Sequence, residues 1–335
     1  MNKLQVVQFW RRPPAGAFSI ERVFTELNGA MPAQVSVRKV VSIEQSRGLW
    51  PRLRAGLHAW RNRGQVNHVV GDVHFLTLFL PRGSCVLTIH DCEMILRASG
   101  LKRYLLWLFW LRLPVARAAI VVAISEKTAQ CIRDLLGNQN QQVEVIGNPI
   151  PASFSHFPAA SDHGQPVVLQ IGTKENKNLE RLVAAMSGIN AKLVVIGRLT
   201  QSQCTLLSES GLTYETRFNL SEQEILEAYR QATVVAFVSL SEGFGLPIIE
   251  AQAAGRAVLC SDREPMRSVA GDGALFVDPS SKSAIREGLD DLLRNVGLRE
   301  QFVEKGHKNI SRFAADTLAA RYAAIYADLA GSSND

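Results

Sequence analysis

The chain has 335 residues, long for one core and comfortable for two domains, and its 47% apolar and 20% charged residues exclude a disordered protein. Five scattered cysteines (Cys85, Cys92, Cys131, Cys204, Cys260), odd in number and without a C-x-x-C, exclude a disulfide framework or zinc site and fit a reducing cytosol. Residues 1–150 carry 19 Lys/Arg against 9 Asp/Glu and residues 151–335 carry 18 against 22, so the first half either faces something anionic or is an ordinary arginine-rich solvated surface.

Short β-branched runs alternate with helix-length amphipathic segments, the pattern of a parallel sheet covered on both faces. The N-terminus reads as a strand, Leu4–Gln8, with no visible signal peptide. Further first-half strands are expected at Val35–Val41, Val66–Val70, Cys85–Ile89, Ala119–Ile124 and Val143–Ile146. Between them lies the most hydrophobic stretch, Tyr104–Ser125, whose unbroken run Tyr104–Leu111 falls short of the ~20 residues a bilayer span needs. It reads as a helix 103–113 and a buried strand 118–124, although aromatics beside Lys102, Arg103 and Arg112 also suit a membrane interface.

After a Pro/Ser/Ala-rich joint, Asn148–Pro166, second-half strands are expected at Val167–Ile171, Lys192–Ile196, Thr213–Phe218, Thr233–Val238, Ala257–Cys260 and Ala274–Val277. Helices fit at Lys127–Leu136, Asn178–Met186, Ser221–Ala232 and Ser283–Val296, and Ser221 with Glu224 makes a capping box. Two doubly wound α/β domains follow: residues 1–150 and 151–313, with a last helix, 314–335, that crosses back to the first.

In parallel sheets, ligands bind beyond the carboxyl ends of the strands. Here those ends carry His90-Asp91, Ser125, Gly147-Asn148, Gly172-Thr173-Lys174, Gly197-Arg198, Ser239 and Ser261-Asp262. The segment "SLSEGFGLPIIEAQAAG" runs from a buried strand into a helix that Pro247 opens and Gly255 stops. Glu242, Gly243, Phe244, Gly245 and Leu246 form the turn, and the free amides of Phe244–Ile248 suit an anion. Glu242 and Glu250 flank that anion and accept hydroxyls on either side, Glu242 at the sugar end and Glu250 at the ribose end. Alternatively Glu250 only complements the helix dipole and Glu242 is solvated.

Glu242 and Glu250 make an E-x7-E that resembles the signature of retaining glycosyltransferases of family 4, which have the GT-B fold of two Rossmann-like domains facing across a cleft. "VLQIGTKENKNLERLVAAM", "LSEQEILEAYRQATVVAFVS", "SVAGDGALFVDP", "VLTIHD" and "VVAISEKT" are similar to further segments of that family. The likeness is strong over residues 166–280, weaker over 66–150 and poor over 1–65.

The resemblance implies a nucleotide-diphosphate sugar, UDP- or GDP-linked, held mainly by the second domain, with no cofactor and no metal. Lys177 matches the family lysine on the donor phosphates, where a fixed cation stabilises the leaving diphosphate. His90 matches the histidine that faces the donor sugar; His74 either faces the acceptor or is packed. Where many members carry an arginine this chain has Thr173, so Lys174 or Arg198 supplies the second cation. The N-terminal loop has Gly16 alone after Pro13-Pro14 where a Gly-Gly pair is usual, and its Arg11 and Arg12 meet an acidic or lipid-phosphate acceptor, or solvent. Arg267-Ser268 stands where Glu-Val is common.

The chain has no D-x-D of the kind that holds a divalent ion on a sugar diphosphate, and no Walker loop. The expected activity is transfer of a sugar to a glycan or lipid-linked saccharide, in the cytoplasm or peripherally on the inner face of the membrane. A non-hydrolysing NDP-sugar epimerase, or a basic membrane- or nucleic-acid-binding protein, are the other readings; no nucleic-acid module is recognisable.

Overall fold

The computed structural model describes residues 3–12, 19–43, 48–137, 142–154, 157 and 164–331. Gly16 and the Pro13-Pro14 pair lie outside the described residues, as does much of the expected joint at 148–166. Contacts divide the chain into two compact units, Met1–Pro149 with Ala314–Asp335, and Ile150–Phe313.

The first unit holds β1 (Leu4–Trp10), β2 (Val35–Val41), β3 (Val66–Val69), β4 (Cys85–Ile89), β5 (Ile120–Ala123) and β6 (Val143–Val145). Its sheet is wholly parallel in the order β2-β1-β3-β4-β5-β6. Every residue of β3 and β4 is buried; β4 reads as a continuous apolar or β-branched run, whereas β3 carries Asn67 and His68 inside, their side chains bonded to Gly64, Ser84, Tyr326 and Thr88. Phe9, Leu87, Ile89 and Val121 form the centre of the core beneath the Glu126–Leu136 helix. The Ala315–Gly331 helix lies against β1, β3 and the Ser19–Gly29 helix. It buries Tyr322 and Tyr326 completely, and their hydroxyls reach Thr88 and the His68 ring. Burying an aromatic body stabilises only if its polar tip is bonded, and both tips are.

The Tyr104–Ser125 stretch departs from the expected helix 103–113 followed by a strand from 118. An α-helix over Gly100–Leu106 passes into a π-helix at Trp107–Arg112 and continues as α-helix to Arg117, through Pro114. Proline has no N–H for the carbonyl four residues back, Trp110 O. The His74 ring takes that carbonyl instead, its Nδ1 donating at 3.0 Å, with the imidazole stacked 4.7 Å from the Trp110 ring. The helix therefore survives its proline because an outside donor replaces the lost one, and His74 is a packed residue.

The second unit holds β7 (Val167–Ile171), β8 (Lys192–Ile196), β9 (Tyr214–Arg217), β10 (Val234–Phe237), β11 (Ala257–Ser261) and β12 (Leu275–Val277). It is parallel throughout in the order β12-β11-β10-β7-β8-β9. Val168, Leu193, Val234 and Leu259 are fully buried on one face of the sheet beneath the Leu179–Met186 and Lys282–Arg294 helices. The Ser221–Glu224 capping box forms, and so does a second, Thr200–Gln203. The expected helix 283–296 instead ends at Arg294, because the Asn295 side chain accepts from Leu298 N and caps a new helix, Val296–Asn309.

The two orders place the reversal of winding differently. In the second unit β7 has β8 on one side and β10 on the other, so the crevice favoured for ligands opens above β7 and β10. In the first unit the same point lies between β1 and β3.

Candidate functional site

Leaving β7, the chain turns at Gly172 into a 3-10 turn, Glu175–Lys177, and then into the Leu179–Met186 helix. The Lys177 stem folds back over Gly172. A Cβ there would stand 2.8 Å from the lysine Cε, and the φ of +92° is one that glycine adopts without strain. The ammonium donates to Glu242 Oε1 at 2.7 Å and sits 4.8 Å from the centre of the Phe237 ring. Its two remaining N–H groups are enough to hold a phosphate without releasing the carboxylate.

Three polar side chains fix this pair. Asn176 Nδ2 donates to Ser241 O at 2.8 Å and to Glu242 Oε1 at 3.3 Å, while its own carbonyl takes Leu240 N. Asn178, left-handed at φ 61°, donates from Nδ2 to Val238 O and Pro279 O. Buried Gln170 donates to Lys177 O at 2.9 Å. The lysine is thus gripped by its neighbours' amides on strand tips of the same sheet. A half-buried ion pair contributes little to stability once desolvation is counted, so this much support is better explained by a need for geometry.

Next to the lysine, Thr173 does not offer a charge. Its hydroxyl donates to Arg198 O at 2.6 Å and pins the β7 tip to the β8 tip, where Gly197 leaves room for the threonine methyl. Lys174 is exposed, and the Arg198 guanidinium lies 5.8 Å from the Phe218 ring.

The loop after β10 leads into the Leu246–Ala253 helix with Gly245 as its N-cap at φ 113° and Pro247 in the first turn. Gly255, at φ 70°, ends it as expected, with the Gly255 and Arg256 amides returning to Gln252 O and Ala251 O. Phe244 and Gly245 are buried, Gly243 and Leu246 half-buried, and Phe244 packs edge-on to Phe313. No hydrogen bond among the described residues takes the amides of Phe244, Gly245 or Leu246. Amides left without an acceptor at a helix start form a site for an anion. Glu250 is only 8% exposed, and Tyr229 Oη donates to its Oε2 at 2.7 Å. It lies on the covered side of the helix, and Glu242, paired with Lys177, is not the solvated carboxylate of the alternative reading.

In the first unit His90 follows β4, its ring buried, with Nε2 donating to Val70 O at 3.0 Å. Burial holds its pKa below the ordinary value, so the ring is neutral at pH 7 with Nδ1 as its acceptor. Close to the first unit's own reversal point, Arg11 pairs with Glu21 and Asp72, each at 2.8 Å.

Residues 152–309 match the model described as "Glycosyl transferases group 1" and residues 21–154 match "Glycosyltransferase Family 4". The chain belongs to the family-4 glycosyltransferases. A phosphatidyl-myo-inositol mannosyltransferase of Mycobacterium leprae is 27% identical over 228 residues, which are 64% of this chain and 60% of that protein. This glycosyltransferase chain spans less than two thirds of the length of the curated relatives it matches first. Among solved structures, sucrose-phosphate synthase from Thermosynechococcus elongatus superposes with a TM-score of 0.79 at 14% identity, covering 98% of this chain and 100% of that one. Anabaena HepE, solved with UDP and glucose, gives 0.76 at 12% identity over 97% and 100%. At such identities the likeness speaks for the fold, two Rossmann-like units of the GT-B type.

For this family-4 chain the structure brings Gly172, Thr173, Lys177, Glu242 and the 243–246 turn together on the tips of one sheet. Asn176, Gln170 and Tyr229 were not singled out from the sequence. An Asn in a turn, a Gln in a strand and a Tyr in a helix are all ordinary there, and only their hydrogen bonds distinguish them.

Proposed function

We propose that the chain is a retaining glycosyltransferase that moves a sugar from a UDP- or GDP-linked donor to a hydroxyl of a glycan or lipid-linked saccharide. The observation that carries this is the Lys177 ammonium, held on Glu242 at 2.7 Å beside a helix start with unclaimed amides. The bond from the anomeric carbon to the phosphate oxygen breaks, and its electron pair goes to the diphosphate. Lys177 and the amides of Phe244, Gly245 and Leu246 neutralise the charge that develops there. The acceptor oxygen bonds the anomeric carbon on the same face, and its proton passes to the departing phosphate oxygen, so the configuration is retained.

Glu242, aimed by Lys177 and Asn176, takes a sugar hydroxyl, and Glu250, aimed by Tyr229, takes the ribose. Gly172 gives the Lys177 stem its room and Gly197 gives the Thr173 methyl its room, so that these tips can face the diphosphate, with Lys174 or Arg198 as the second cation. His90 presents its neutral Nδ1 to the sugar. The charge on the leaving group is met by protein alone, so chelators leave the rate unchanged. We place this work in the cytoplasm or on the inner face of the membrane, with the basic first unit toward anionic lipid. The HepE structure with UDP and glucose and the mannosyltransferase relative agree in kind with this reading.

Incubation with a panel of labelled UDP- and GDP-sugars tests it. One donor is expected to be hydrolysed slowly and to protect the chain thermally. Lys177→Ala loses about 10²–10³ in turnover. Glu250→Ala weakens nucleotide binding, and Glu242→Ala lowers turnover more than binding. Binding of no nucleotide, or identical behaviour of the two glutamate variants, refutes the assignment.

A further inference from the structure

Two helices of the first unit carry large apolar side chains on their outer faces. The Leu49–Arg61 helix buries the small residues Ala55, Gly56 and Ala59 and turns Trp50, Leu53, Leu57 and Trp60 outward at helical spacing, Trp50 being 76% exposed. The Gly100–Leu106 helix buries none of its residues; Leu101, 72% exposed, Leu105 and Phe109 continue its stripe into the π-helix. Between the two helices runs a groove of about 670 Å³, floored by Phe75, Phe79 and Trp110 and rimmed by Arg52 and Lys102. Residues 49–63 and 100–117 together hold eight Lys/Arg and no Asp or Glu.

Large apolar patches on a soluble surface mark a docking site. The charge decides the occupant. A second copy of the chain would set one all-cationic rim against another, which a two-fold interface does not tolerate. Apolar and tryptophan side chains protruding through a cationic fringe match an anionic lipid leaflet. We propose that this face seats the first unit on an anionic bilayer, with one hydrocarbon chain of a leaflet lipid entering the groove and its head-group phosphate meeting Arg52 and Lys102. This deepens the reading of a membrane-borne acceptor and rests on it for its use, not for its geometry. Among the described residues no helix is long and apolar enough to cross a membrane.

All five tryptophans, Trp10, Trp50, Trp60, Trp107 and Trp110, belong to the first unit and report the contact. The full chain is mixed with vesicles of phosphatidylcholine alone or with phosphatidylglycerol added. Sedimentation and a blue shift of emission are expected with the anionic vesicles, weakened at least about tenfold in pure phosphatidylcholine or high salt. Lipids brominated at mid-chain quench that emission. The exposed pair Trp50→Ser with Leu101→Ser lowers partitioning about tenfold while donor hydrolysis is kept. Lys102→Glu with Arg103→Glu removes the preference for anionic lipid. The proposal falls if wild type ignores anionic vesicles, or if both variants bind as wild type does. It also falls if the chain dimerises with concentration and the Ser pair abolishes that, which would assign the face to a second copy. Loss of sugar transfer with vesicle binding intact would fault the enzyme reading alone.

Discussion

Replacing His68 by glutamine should remove a specific part of the chain's sensitivity to acid. The imidazole is wholly buried, bonded to Tyr326 Oη at 2.7 Å and Thr88 Oγ1 at 2.8 Å, and edged by Phe24. Burial pushes its pKa down to about 3, and the neighbouring His90 acts in the same direction. An unfolded histidine titrates near ~6.5, so below that pH the unfolded chain binds a proton that the folded one refuses. Stability from this group is therefore full above about pH 6.5 and drains as pH falls toward the folded value, by about 1.4 kcal/mol per pH unit. Between pH 6.5 and 4.5 that is roughly 2.7 kcal/mol, or about 5–10 °C in the melting point of a unit this size.

Glutamine can bond one of the same hydroxyls and does not titrate. His68→Gln should start less stable at pH 7 yet lose about 2.7 kcal/mol less than wild type on going to pH 4.5. Tryptophan emission follows the transition selectively, because every tryptophan is in this unit. His74 and His90, also held below their ordinary pKa by burial, leave a residual acid slope common to both proteins. Parallel pH profiles for wild type and variant would refute the argument.

Asn178→Ala removes two hydrogen bonds to carbonyls and forces a left-handed alanine, costing about 2–4 kcal/mol in the second unit's calorimetric transition; Asn178→Gly should recover about 1 kcal/mol of it. Equal midpoints for the two variants would show the backbone conformation to be irrelevant. Tyr229→Phe leaves a buried carboxylate short of a donor and is expected to cost about 1.5–3 kcal/mol and to weaken nucleotide binding together with it, as read by thermal shift with and without nucleotide. An unchanged midpoint would mean that Glu250 does not depend on that hydroxyl.

The strands were legible because β4 and β10 are β-branched or apolar runs, β7 is one but for Gln170, and glycine and polar tips punctuate them. Their order in the sheets was not, since hydrophobic period says nothing about which neighbour a strand takes. The Leu49–Arg61 helix escaped notice because its buried residues are small and its large ones face outward, the reverse of the usual amphipathic signal. Pro114 was read as a break, and the donor that rescues it comes from His74, 40 positions earlier in the chain. Lys177, Glu242 and the glycine turn were visible as a motif. That the lysine and glutamate touch each other, over a glycine chosen to let them, needed coordinates.

Chain order gives the first unit an unusual birth. Ribosomes make residues 1–149, then the whole of Ile150–Phe313, and only afterwards the segment that supplies Tyr322 and Tyr326. The inserted unit can mature while its elder sibling still has His68 and Thr88 uncovered. Assembly of the first unit thus waits on residues translated after the second, and a nascent chain halted near residue 313 would carry one finished body and one with an open flank.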